Sequence, residues 1–130
     1  MKKDYHVKEK FIKNIKCIDK DVNEVAITLN DGQIELKAYC DNYREIKPLI
    51  LSTFMTSEVM ISDDKMCSAI NNGNYSHTIQ GELYSKELGK VRVGKFFISI
   101  DKKEIPADIR DGDFITFKCV RLDAYSIVIK

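Results

Sequence analysis

The chain has 130 residues, of which 44% are hydrophobic and 32% charged, and its net charge is +1. That length fits one domain with its own core, and the composition is that of a globular chain, not a disordered one. No apolar run approaches the ~20 residues of a membrane-spanning helix, no apolar stretch follows the charged start as in a secretory leader, and no global basic excess marks a nucleic-acid binder. The expected compartment is the cytoplasm.

Residues 1–10 are polar and read as a partly ordered N-terminal arm. A single β-barrel domain is expected over 11–130. In "VAITLNDGQIELKAY" the Asp31-Gly32 dipeptide lies between two alternating runs, and Asp-Gly suits a two-residue hairpin turn. With that turn, Leu29 faces Ile34, Ile27 faces Leu36 and Val25 faces Ala38. One face is then apolar and the other mainly polar, as in an antiparallel sheet with one buried side.

Residues 46–62 are apolar at too many positions for one clean period. Strands over 49–55 and 58–62 are expected, with a short helix as the alternative. "NNGN" (71–74) reads as a loop. "SHTIQGELYS" (76–85) reads as a strand that runs into a turn around Lys86-Glu87-Leu88-Gly89. "VRVGKFFISI" forms a second hairpin around Gly94-Lys95, which pairs Val93 with Phe96, Arg92 with Phe97 and Val91 with Ile98. "PADIRDG" is expected to make one helical turn before a corner at Asp111-Gly112. Strands follow over 114–122 and 124–129.

These elements predict an all-β chain: a small antiparallel β-barrel or a compact sandwich, with at most one or two short helices. The segment "IRDGDFITFKCVRLDAY" resembles the closing strands of oligonucleotide/oligosaccharide-binding (OB) barrels. The preceding "HTIQGELYSKELGKVRVGKFFISI" is similar to the meander that comes before them. The resemblance covers roughly residues 77–125. It implies an OB-like architecture and fixes no function. The central helix between the third and fourth strands of such barrels has no counterpart in the pattern.

Chemistry-bearing residues are few. Cys17, Cys40, Cys67 and Cys119 are far apart, with no Cys-x-x-Cys pair, and read as reduced core thiols and not as zinc ligands. Only His6 and His77 could serve as a base. His6 falls in the arm, and His77 is expected to be exposed or hydrogen-bonded at a strand edge. Asp63-Asp64 and Asp108, Asp111 and Asp113 suit turns, where carboxylates accept nearby N–H bonds. No catalytic residue, cofactor or metal site is expected. The best binding candidate is the basic stretch 90–103: Lys90, Arg92, Lys95, Phe97, Lys102 and Lys103. An aromatic side chain among cations suits single-stranded nucleic acid, because bases stack and phosphates need positive charge. The same residues also suit a solvated edge.

The function expected is therefore a non-enzymatic binding module that acts on a protein partner, such as an immunity or adaptor protein. A single-stranded nucleic-acid-binding barrel is the alternative. No membrane association is expected, and the chain should be a monomer or an edge-paired homodimer. The Lys-, Ile- and Asn-rich composition suggests a bacterial or phage source.

Overall fold

A computed structural model describes residues 5–41, 43 and 48–126 of the protein. Its strands are β1 (Ile12–Asp19), β2 (Glu24–Asn30), β3 (Glu35–Cys40), β4 (Leu49–Ile61), β5 (Ser68–Gly73), β6 (Ser76–Ser85), β7 (Lys90–Val93), β8 (Phe96–Ser99) and β9 (Phe114–Ser126). Among the described residues the helical pieces are two three-residue 3-10 turns, Glu9–Phe11 and Lys102–Glu104. The chain is all-β, as expected.

Five strands close a barrel in the order β9-β4-β8-β7-β6 and back to β9. The β4–β8 pair is parallel and the other four are antiparallel. The meander β6-β7-β8 and the long β9 occupy the stretch that resembles an OB barrel. The place between β8 and β9 is filled by β4, which precedes the meander in sequence. Closure removes the edges an open sheet would expose. Outside the barrel, β5 adds to β6, and the meander β1-β2-β3 joins β9 through the parallel pair Tyr39–Asp123.

One apolar core serves both parts. Ile79 and Leu83 of β6, Val91 of β7 and Phe117 of β9 pack with Ile27 and Leu36 of the meander, all fully or nearly fully buried. The alternation along β6 follows from period-2 geometry: His77, Ile79, Gly81 and Leu83 point inward, and the residues between them point outward. β9 changes neighbours along its length. Residues up to Cys119 pair with β6, and Asp123 pairs with β3. The change breaks the alternation, so Ile115, Phe117 and Cys119 are buried before it and Leu122 and Ala124 after it.

The second hairpin has the expected register, with Val93–Phe96, Arg92–Phe97 and Val91–Ile98 paired. The first is shifted by two: Leu29 pairs with Leu36, Ile27 with Ala38 and Val25 with Cys40. The Asp31 N–H donates to the Ile34 carbonyl at 3.2 Å, so Gly32-Gln33 form the tip instead of Asp31-Gly32. The cause is the Asp31 side chain, which accepts the N–H groups of Gln33 and Ile34 and so caps the turn from its first position. A shift of two keeps every side chain on its expected face.

Four other expectations are corrected. Residues 49–61 form one strand, neither two strands nor a helix; residues 46 and 47 lie outside the described set. Asn71 to Gly73 end β5, and only Asn74-Tyr75 turn the chain. "PADIRDG" makes tight turns without a helix, and the Lys86 ammonium holds them by donating to the carbonyls of Pro106, Ala107 and Ile109. The two late strands are one continuous β9 through Ser126; residues 127–129 lie outside the described set.

β4 stays one strand because two irregularities take up its mismatch with β9. Met55 and Glu58 have left-handed φ values of 57° and 53°, and the ladder slips between Ser57 and Met60. Such a conformation costs an L-residue roughly 1–2 kcal/mol. Glu58→Gly should therefore leave stability unchanged or raise it by up to about 1 kcal/mol, while the β-branched Glu58→Val should lower it by about 2 kcal/mol. Urea midpoints of the two variants check this. Equal losses in both would mean that the left-handed backbone at Glu58 is not the source of the effect.

Candidate interaction surface

The six residues of the basic stretch do not form one site. Lys90, Arg92 and Phe97 share the outer face of β7 and β8. Arg92 is held by Glu82 on β6, with Nη2 at 2.6 Å and Nε at 3.1 Å from the same carboxylate oxygen. Phe97 is half-buried and makes edge-on contacts with Tyr5 and Tyr84, both at 5.1 Å between ring centres. Lys90 donates to Ser99 Oγ at 2.6 Å and sits 4.9 Å over the Tyr5 ring; burial lowers its pKa. Lys95 is exposed at the tip of the β7–β8 hairpin, ahead of β8. Lys102 and Lys103 are exposed beyond the end of β8, where Lys102 Nζ donates to the Glu87 carbonyl at 3.2 Å. The strip is thus an aromatic cluster with an internal ion pair, flanked by lysines before and after β8.

His77 is fully buried, not at an exposed edge. Its Nδ1 lies 2.9 Å from the Tyr75 carbonyl, and its Nε2 accepts the Lys37 N–H at 3.2 Å. Both contacts are met by the neutral tautomer with the proton on Nδ1. Burial depresses its pKa below 6.5 against the opposing pull of the Tyr75 bond. The ring thus stitches β3 to the start of β6, where β9 changes neighbours. Beside it, burial pushes the Cys119 thiol up to about 11. Cys40 is also buried, Cys67 is half-buried and Cys17 is exposed, so the expectation of core thiols fails for Cys17. Cys17 lies on β1, an edge strand whose side chains beyond Ile12 are all exposed.

Of the expected turn carboxylates, Asp113 accepts a neighbouring N–H group and Asp111 one from a distant turn. Asp111 accepts the Lys86 N–H at 2.7 Å and Asp113 the Arg110 N–H at 2.9 Å. Among the described residues no cluster of His, Cys, Asp and Glu could hold a metal ion.

A second polar cluster has no counterpart among the expectations drawn from the residue pattern. Arg121 forks onto the buried Asp123, with Nε–Oδ1 at 2.5 Å and Nη2–Oδ2 at 3.2 Å. Its guanidinium lies 4.7 Å from the Phe54 ring and 5.1 Å from the Tyr39 ring. A hydrogen bond to Glu24 raises the Tyr39 hydroxyl to about 12. The charge on Arg121 is thus paired and covered by aromatic faces.

The least satisfied surface lies on the outside of β4 and β9. Met55 is 63% exposed, Val120 58% and Phe54 46%. Phe54–Arg121 and Thr56–Cys119 are paired on either side of Met55 and Val120, which brings these two together. They line a shallow groove of about 410 Å³ with Thr53, Ser57, Asp101 and Glu104. Farther along the same outer face come Met60 on β4 and Ile70 on β5, both more than half exposed. Between them stand Thr116, Thr78 and Gln80, with Lys118–Glu58 as an ion pair.

Comparison of the chain with protein-family models, with curated proteins and with solved structures finds no match to any of them.

Proposed function

We propose that the chain is a non-enzymatic binding module that engages a protein partner through the outer face of β4 and β9. An adaptor or an immunity-type inhibitor would work this way. The observation that carries the reading is the exposed apolar strip Phe54, Met55 and Val120, built around a left-handed Met55. A strained, outward-pointing apolar residue on an exposed sheet face is costly to keep without a partner to cover it. Aromatic residues and Met are also enriched at interface centres, while charges are depleted there. Single-stranded nucleic acid is the weaker reading, since Arg92 is paired with Glu82 and Phe97 is packed among tyrosines.

The test is affinity capture from source cells with three baits: wild type, Met55→Lys/Val120→Lys and Lys102→Glu/Lys103→Glu. One partner should be recovered by the first and third and lost at least about tenfold by the second, the usual scale for a buried anchor. Capture that survives the Met55/Val120 change and fails in the lysine variant would discard this face. So would salt-sensitive binding of short single-stranded DNA or RNA that weakens in Arg92→Ala/Phe97→Ala.

A further inference from the structure

The sheet ends in two edges, β1 and β5, and they are built differently. β1 carries Lys13, Lys16 and Asp19, and its ladder to β2 is interrupted near both ends. Charge is a common means by which an edge strand refuses further pairing, and it is what separates the two edges, since the β5–β6 ladder also slips, between Asn71 and Gly73. β5 reads Ser68-Ala-Ile-Asn-Asn-Gly73, without a charge or a proline, and every residue except Ala69 is exposed. Its one hydrogen-bonded strand neighbour among the described residues is β6, and β3 also comes within contact distance of it.

We propose that two copies of this chain associate through β5, antiparallel and edge to edge about a twofold axis at Ile70. This goes beyond the protein-binding reading and does not depend on it. The choice of a second copy rests on charge compatibility. A twofold sets each residue against the one equally far beyond the axis, so a charged residue on the axis meets its own kind. With Ile70 on the axis, Ser68 faces Asn72 and Ala69 faces Asn71, and no like charges oppose. The two Ile70 side chains, each 60% exposed, then cover each other on the outer face. Centring β1 on Lys16 would instead oppose two ammonium groups. The joined sheets would continue the outer face of β5, β6, β9 and β4 across the axis. Such a dimer uses the backbone for affinity and the Ile70 pair for register.

Sedimentation velocity over roughly 1 µM to 1 mM spans the range in which small interfaces associate. The wild type should pass from monomer to dimer within it. Ile70→Lys should weaken the dimer at least tenfold, with an unchanged circular dichroism spectrum. Ser68→Lys/Asn72→Glu places opposite charges across the axis and should strengthen it. Ile18→Lys on β1 and Val120→Lys on the partner face should leave it unaltered. A monomer at every concentration overturns the proposal. So does a dimer that is indifferent to Ile70→Lys, or one that Ile18→Lys dissolves.

Discussion

Replacing His77 with alanine should lower stability by about 3 kcal/mol, or roughly 10 °C in Tm for a chain of this size. Two losses combine. The Lys37 N–H is left inside without an acceptor, and a cavity opens beside Cys119 and the β3–β6 seam. The same ring makes the fold acid-sensitive. Burial holds its pKa below 6.5 in the folded chain, so the unfolded chain takes up a proton first as pH falls. The His77 contribution is complete above pH 6.5 and declines below it until the folded pKa is reached. Protonation would also turn Nε2 into a donor facing the donor of Lys37. His77→Gln retains an acceptor and cannot titrate, so its Tm should change less between about pH 7 and pH 5 than that of the wild type. Identical pH profiles for the two proteins would show that His77 is not the acid-sensitive group.

The second large effect is expected at Gly94. Gly94→Ala should cost about 3 kcal/mol, about half of it from the left-handed backbone at φ +60°. The rest comes from the neighbours. A methyl group there would collide with the Asp31 carboxylate and come within 2.8 Å of Ile34 Cγ1. Asp31 cannot easily yield, because it also accepts the Lys95 N–H at 2.8 Å in addition to its own turn. Burial alone would raise its pKa, but the N–H groups of Ile34, Gln33 and Lys95 outweigh burial and hold it lower. One carboxylate thus docks two hairpin tips on each other. In an Asp31→Ala background the cost of Gly94→Ala should fall to about 1.5 kcal/mol, which a double-mutant cycle of urea unfolding would measure. Strict additivity of the two changes would mean that the docking contributes nothing.

Local chemistry explains what could be read in advance. The β7–β8 hairpin was legible to the residue because Gly94 supplies the turn and both flanks alternate cleanly. The β2–β3 hairpin was legible in its faces but not in its tip, since Asp31 has two competing uses, as a turn residue and as a cap. β4 was illegible in detail. Met55 and Glu58 reset the phase of the strand, so apolar residues that look like core at Phe54, Met55 and Met60 end up outside. One signal was available there: a strand of ordinary geometry has no second buried face to receive so many apolar side chains. His77 is hydrogen-bonded, as one of its two readings had it, but its burial was not legible because it depends on β3, which is brought to it by β9 and not by anything near it in sequence. Lys90, Arg92 and Phe97 were placed on the right strands, but the partners that occupy Arg92 and Phe97 come from β6 and from Tyr5.

The neighbour change in β9 bears on how the chain reaches its fold. Phe114–Ser126 borders β3, β4 and β6 and follows all three in sequence, so neither the barrel nor the meander has its full complement of backbone bonds before β9 arrives. Pairs such as Leu49–Ser126 close very long loops. Closure entropy of that kind delays the contacts that repay it, and β-rich chains dominated by non-local pairs fold in milliseconds to seconds. Until then, β4 and β6 present open, apolar edges. β9 is thus the strand on which completion of both the barrel and the meander depends.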